Sequence, residues 1–256
     1  MQKRHAITRE ALILGLMRDL DDVADQAITN VTAGASLVAV TAARTGLCSN
    51  LAGPVPGAVL DLPEGPEGLI GQSARETARM LLDPAASTLA ASLAMAAANA
   101  LLPPPSTSKE TKAQELILRL GRGARVVVAG HFPFVERMGD SFSSFTVLEK
   151  NPRPGDLGLE AAPEAFGQAD LAALTAQTLV NGDLAFILSL LRPEALVILL
   201  GPSAPFAPSL FAAGISVIAG CDVTEPKAAL ADIASGAPFK GLRGARHLTW
   251  EENRGK

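Results

Sequence analysis

Arg125-Val126-Val127-Val128-Ala129-Gly130-His131-Phe132-Pro133 joins a continuous run of β-branched and small apolar residues to a loop that opens on glycine and closes on proline. A strand with no polar alternation is buried on both faces, which is the condition of a parallel sheet covered by helices on each side. Further strand runs follow downstream at 145–149, 171–175, 195–200 and 215–219, with a helical stretch at 109–120 before the first run and another at 183–191 between later ones. Such alternation predicts a Rossmann-like parallel-sheet domain. Upstream lies Pro103-Pro104-Pro105-Ser106-Thr107-Ser108. Consecutive prolines neither continue a helix nor donate to a sheet, so a domain boundary is expected there, with one domain over 1–105 and the second over 106–256.

The first domain reads as α+β. Residues 7–27 carry apolar positions at three- and four-residue spacings, an amphipathic helix. Runs at 28–31 and 37–41 suggest an antiparallel hairpin, the Gly- and Pro-rich 48–71 a long loop, and 74–82 and 86–101 two helices. The second helix is so rich in alanine that another element must approach it closely, from its own chain or from a partner chain in a homodimer. The fold class expected is thus α/β, a small α+β domain followed by a Rossmann-like one.

Composition removes several functions. The chain has 256 residues, a net charge of -4, three His, two Cys, one Trp and no Tyr. Cys48 and Cys221 lie too far apart to build a local zinc module with His5, His131 and His247, and two cysteines make no disulfide scaffold. Mild acidity and few aromatic rings argue against a nucleic-acid surface. The longest apolar stretch, 89–102, contains Ser92 and Asn99 and falls short of the roughly 20 residues that span a bilayer. No apolar h-region follows Met1-Gln2-Lys3-Arg4-His5, so a cytoplasmic location is expected.

Ligands of open parallel sheets bind outside the carboxyl ends of the strands. The residues there are Gly130-His131-Phe132-Pro133, then Glu149 with Asn151-Pro152-Arg153-Pro154-Gly155-Asp156, then Gln177-Thr178-Leu179-Val180-Asn181-Gly182, then Gly201-Pro202-Ser203-Ala204-Pro205, and finally Gly220-Cys221-Asp222. No G-x-G-x-x-G follows the first strand and no G-x-x-x-x-G-K-[ST] occurs, which argues against an ordinary NAD site and an NTPase phosphate cradle. Glu149 stands where an acid often accepts hydrogen bonds from ribose hydroxyls, and a solvated strand end is its alternative reading. His131 is either a structural loop residue or a group that ligates metal or exchanges protons near pH 7. Pro202 and Pro205 spoil any likeness of the fourth loop to a strained nucleophile turn, leaving Ser203 as a ligand hydrogen-bonder or as the N-cap of a helix near Pro208. Asn181 with Thr178 suits a cap for the helix beginning near Asp183, and a helix N-terminus is itself an anion site. Cys48 and Cys221 read as small buried hydrophobes, and Arg243, Arg246 and His247 as a solvated tail surface.

Taken together, Val128-Ala129-Gly130-His131-Phe132-Pro133, Glu149 to Asp156, Thr178-Leu179-Val180-Asn181-Gly182 and Leu200-Gly201-Pro202-Ser203-Ala204-Pro205 resemble the heavy-metal chelation family DUF364 in order and spacing. Asn99-Ala100-Leu101-Leu102 is similar to the end of the DUF4213 domain that precedes it in that family. The resemblance implies an enolase N-terminal-like first domain, a Rossmann-like second one, and a cleft between them for a siderophore-, pterin- or flavin-like molecule or a chelated metal. This chain departs from the pattern at Ala90 and Ala91, where an acidic residue is expected, and at Cys48.

The candidate site residues are His131 and Glu149 for acid–base work, His131 as metal ligand, and Gly130, Asp156, Thr178, Asn181, Gly201, Pro202 and Ser203 for ligand binding. The expected cofactor is a transition metal or a metal chelate, and the expected partner a small polar metabolite or chelate. Two alternatives remain open from the residues alone: a methyltransferase-like, condensing or hydrolysing enzyme that uses an adenosine-containing cofactor, and a carrier module without turnover. With so few soft ligands at the strand ends, a metal that arrives already chelated suits the chain better than a bare ion.

Overall fold

The computed structural model describes residues 7–53, 65–130, 132, 135 and 138–252. Its N-terminal part contains helix α1 (Arg9–Asp21), strands β1 (Asn30–Ala33), β2 (Leu37–Thr41) and β3 (Thr45–Ser49), and helices α2 (Ala74–Ala78) and α3 (Thr88–Leu101). Thr8 and Ser87 start the two long helices, their hydroxyl oxygens accepting from the Ala11 and Ala90 amides at 3.1 and 3.2 Å. The three strands form one antiparallel sheet in the order β1-β2-β3.

Next come β4 (Lys109–Glu110), α4 (Ala113–Leu120), β5 (Arg125–Ala129), β6 (Ser144–Leu148), α5 (Ala162–Gln168), β7 (Leu171–Thr175), α6 (Gln177–Asn181), α7 (Asp183–Leu190), β8 (Leu196–Leu200), α8 (Ser209–Ala212), β9 (Val217–Val223), α9 (Pro226–Ala234) and β10 (Ala245–Glu251). Their sheet is ordered β4-β10-β9-β8-β7-β5-β6, parallel from β6 to β9 and antiparallel at β10 and β4. The chain is therefore a mixed α/β protein with a small antiparallel sheet first and a large, mostly parallel sheet second. Among the parallel strands the chain order is 2-1-3-4-5. The path leaves β5 toward β6 and returns on the other side as β7, which creates a switch point between β5 and β7.

Burial follows the pleat. Val127, Ala129, Ala172, Leu174, Val197 and Leu199 face a core shared with α1 and α3, whereas Val126, Val128, Leu171, Ala173, Ile198 and Leu200 face Leu116 and Ile117 of α4. Neighbours in each of these three strands thus bury on opposite faces, which is why 126–129, 171–174 and 196–200 contain no polar residue. The small sheet is also covered twice. Val38, Val40 and Cys48 join the α3 side, and Leu37, Ala39 and Leu47 pack with Ala229 and Ile233 of α9. The close approach that the alanines of α3 anticipate is made by β3 of the same chain: a Cβ on Gly46 would stand 2.2 Å from the Ala96 carbonyl oxygen.

Four expectations need correction. Residues 45–49 form a strand, so Cys48 and Ser49 are not part of the loop expected from 48, because Gly46 lets β3 lie against the α3 backbone. Lys109 and Glu110 pair with β10, so the helix expected from 109 begins at Ala113. Gly220, Cys221 and Asp222 lie inside β9, not after it, because β10 pairs along the strand as far as Val223. The segment read as a solvated tail is β10 itself, seven residues paired to β9. Among the described residues no helix is long and apolar enough to cross a membrane.

At the amino end of the sheet, remote from the strand ends that hold ligands in such folds, Asp170 receives the Arg125 amide and guanidinium at 2.9 to 3.0 Å and the Arg192 guanidinium. Hydrogen bonds from Arg125 hold its carboxyl well below the usual carboxylate range. A depressed carboxyl contributes stability above the unfolded value near 3.9, and that contribution fades as pH falls through the folded value. With 37% of the Asp170 side chain exposed, solvent screening limits the term. Asp170→Asn is expected to cost about 1 kcal/mol in urea unfolding at pH 7 and distinctly less at pH 2. An equal loss at both pH values would show that the charge is not its source.

Candidate cleft at the carboxyl ends of the sheet

A cleft of about 580 Å³ opens where the large sheet meets the small one. Its floor is made by strand ends: Thr175 of β7, Leu200 and Gly201 at β8, Ala219 and Gly220 in β9. Ser36, Leu37 and Ser49 close it from the small sheet, and the first turn of α4 together with residues 238–241 after α9 form its flanks. Gly201, with φ +117°, turns the chain sharply away from β8 in a conformation that other residues rarely adopt, and nothing stands within 4 Å of where its Cβ would be. This sharp turn keeps the floor open.

The lining has a definite chemistry. Its described residues include Lys112 and Lys240 but no carboxylate and no thiol. His247 of β10 lies in the same wall, its ring edge-on to Phe239 with centroids 5.0 Å apart. Partial desolvation of its ring in the cleft wall pushes the His247 pKa below the ordinary 6.5, Lys112 pushes it in the same direction and Glu110 opposes, so the neutral imidazole is the favoured form at pH 7. Phe132, Phe239, Leu37 and Leu200 supply apolar surface, and Thr175 and Gln177 bring polar groups to the switch-point side.

The structure distributes the residues singled out in the sequence. Gly201 and Pro202 line the cleft. Gly130 ends β5 beside Thr175, a cleft residue. His131 lies outside the described residues. Thr178 is buried, its hydroxyl donating to the Thr175 carbonyl at 2.7 Å, and Asn181 accepts from the Asp183 amide at 3.0 Å in the turn joining α6 to α7. Glu149 accepts from the Lys150 amide, and Asp156 from the Arg153 amide, in the loop after the edge strand β6. Neither carboxylate is among the cleft's lining residues.

Ser203 points the other way. Its hydroxyl oxygen accepts from the Ser49 amide at 3.0 Å and from the Cys48 thiol at 3.2 Å, with 1% of the residue exposed. Asn99 donates to the Leu47 carbonyl at 2.8 Å and to that of Pro202 at 3.4 Å. The loop after β8 thus pins the large sheet to β3 and α3 behind the cleft. The N-cap role expected of Ser203 near Pro208 is not found: Asp19 of α1 accepts from the amide and hydroxyl of Ser209 at 3.0 and 2.5 Å and serves that helix start instead.

Direct metal ligation finds little support in this donor set. Among the described residues no cluster of three or more His, Cys, Asp or Glu is placed to hold an ion. Burial pushes both thiols up to about 12, at Cys221 with help from Asp222, so each is a neutral S–H at pH 7. Gln177 lies in the segment after the third strand that the sequence points to, which is the short helix α6 rather than a loop. Lys112, Lys240, Phe239 and His247 carry no such signal, since each reaches the cleft from an element outside the parallel core.

The model of the DUF4213 family matches residues 18–102 and that of DUF364 matches 112–249, both described as "Putative heavy-metal chelation". A protein of unknown function from the DUF364 family of Desulfitobacterium hafniense DCB-2 has the same fold, with a TM-score of 0.81 at 21% identity over 94% of this chain and 98% of that one. A second, from Pyrococcus horikoshii, gives 0.76 at 20% identity over 96% and 100%. No curated protein matches. With more than half its length matched by that one model, the chain belongs to the DUF364 family.

Proposed function

We propose that the protein binds a small metal chelate, or a flat siderophore-, pterin- or flavin-like metabolite, in the cleft between its two sheets, and that any metal is cargo delivered inside the ligand. The observation that carries this reading is the lining of the 580 Å³ cleft: two lysines, a neutral histidine and two phenylalanine rings, without a described carboxylate or thiol. Such a wall is poor at replacing the water shell of a bare cation. It suits a ligand whose metal is already wrapped in oxygen donors and whose outer surface is aromatic.

Equilibrium dialysis with metal analysis tests this. Ferric tris(2,3-dihydroxybenzoate) or flavin mononucleotide is expected to be retained at one equivalent per chain, while Ni²⁺ and Zn²⁺ pass through. Gln114→Trp, which fills the cleft from the first turn of α4, is expected to abolish retention. Stoichiometric retention of a bare ion with no uptake of either probe, or uptake unchanged in Gln114→Trp, would overturn the reading.

A further inference from the structure

The charges of the cleft are gathered on one wall. Lys112 is the N-cap of α4 and acts electrostatically on His247 of β10, and Lys240 follows Phe239, whose ring contacts the His247 ring; all four line the cleft. Neither lysine pairs with a carboxylate among the described residues, and both are exposed to the cleft's solvent. His247 is directly opposite Cys221 in the β9–β10 register, whereas Arg246 and Asp222 occupy the neighbouring pair and so project from the opposite face of the sheet, where they bond to each other at 2.9 Å. On the His247 face of the sheet lie the neutral Cys221 thiol of β9, Lys109 of β4, opposite Thr249, and Glu251 of β10, which is paired with Arg119 of α4, while Lys112 of α4 and Lys240 of the loop share the cleft lining and Glu110, opposite Leu248 on the other face, still acts on the ring. Neither Glu110 nor Glu251 lines the cleft.

Deepening the reading above, and resting on it, we infer that this wall selects an anionic ligand, one presenting a carboxylate or phosphate beside an aromatic body, and that His247 takes up a proton as the anion binds. Two ammonium groups give the anion charge-assisted hydrogen bonds, and the half-open wall leaves them less screened than on a convex surface. The Phe239 ring fixes the imidazole edge-on and offers its own remaining surface to a flat ligand. Without ligand, Lys112 and burial both disfavour a charged His247. An anion lodged among the three groups reverses that balance, so imidazolium formation and anion binding favour each other, and affinity rises as pH falls.

Matched pairs of probes separate charge from shape. Flavin mononucleotide against riboflavin, and ferric tris(2,3-dihydroxybenzoate) against the neutral ferric tris(maltolate), are compared by calorimetry with the full chain. For a pair whose scaffold is taken up, the anionic member is expected to bind about tenfold tighter or more, a margin that shrinks in Lys112→Ala and Lys240→Ala and at high salt. Near pH 6.5, titrations in two buffers of different ionisation enthalpy are expected to reveal more proton uptake by the wild type than by His247→Gln. That difference cancels the titration of the probe's own phosphate. Equal affinity within every bound pair, or a preference untouched by both lysine variants, would overturn the inference while leaving cleft binding intact. Proton uptake identical in His247→Gln would overturn the role of the histidine. Uptake of none of the four probes would overturn the reading and the inference together.

Discussion

Gly46→Ala is expected to destabilise the protein by about 3 kcal/mol or more, lowering its melting temperature by about 10 °C. The alanine Cβ would stand 2.2 Å from the Ala96 carbonyl oxygen, 2.3 Å from the Ala100 amide nitrogen and 2.6 Å from the Asn99 carbonyl carbon. All three are backbone atoms of α3, a helix whose neighbouring side chains are almost all buried, so no flexible group can yield. Relief requires β3 and α3 to move apart. That separation would break the Asn99 hydrogen bond to Leu47 and disturb the one to Pro202 at the back of the cleft, so ligand retention is expected to weaken along with stability. Gly167→Ala is the control. It lies in α5 with nothing within 4 Å of the new Cβ and ordinary backbone geometry, so the same change should stabilise by about 0.5–1 kcal/mol through helix propensity. Equal melting temperatures for the two variants would refute the close approach of β3 to α3.

Asp222→Ala carries the second large effect. The Asp222 side chain is 5% exposed and is bonded by Arg44, from the turn between β2 and β3, and by Arg246 of β10. Its loss leaves two guanidinium groups facing each other without their shared counter-charge. Removing one member of a buried ion pair typically costs 3–5 kcal/mol, and because both arginines reach solvent a loss of about 2–4 kcal/mol is expected here. Arg44→Ala should cost less, since Asp222 keeps Arg246. A double-mutant cycle over Arg44 and Asp222 isolates the bond between the small sheet and the large one. A coupling energy near zero would mean that this contact does not help to hold the two sheets together.

The parallel core is legible because its central strands β5, β7 and β8 are buried on both faces and stand out as nearly unbroken apolar runs. The pattern places Arg125–Ala129 and Leu171–Thr175 to the residue, and the strand at 145–149 to within one. The missed strands have the opposite character. Thr45-Gly46-Leu47-Cys48-Ser49 lacks the β-branched signature because its glycine and cysteine are chosen by the proximity of α3, a contact with a helix some fifty residues away. Ala245–Glu251 mixes charged, polar and apolar residues without an unbroken apolar run, and its pairing with β9 decides its conformation.

For the cleft the division is similar. The rule that ligands lie beyond strand carboxyl ends pointed to Gly201 and Pro202, and the order of the loops carried the family resemblance that the DUF364 and DUF4213 matches bear out. It gave no hint that Ser203 would turn back to bind Ser49, because that depends on where β3 docks.

The valine run that meets Gly130, with its apolar counterparts downstream, therefore determines by itself a buried parallel sheet, because local hydrophobic periodicity is a property of the chain alone. Only the tertiary structure decided the wall of the cleft. Lys112, Lys240 and His247 come from a helix start, a loop and the strand β10, distant from one another along the chain, and no local pattern records that folding around β9 brings their charges together.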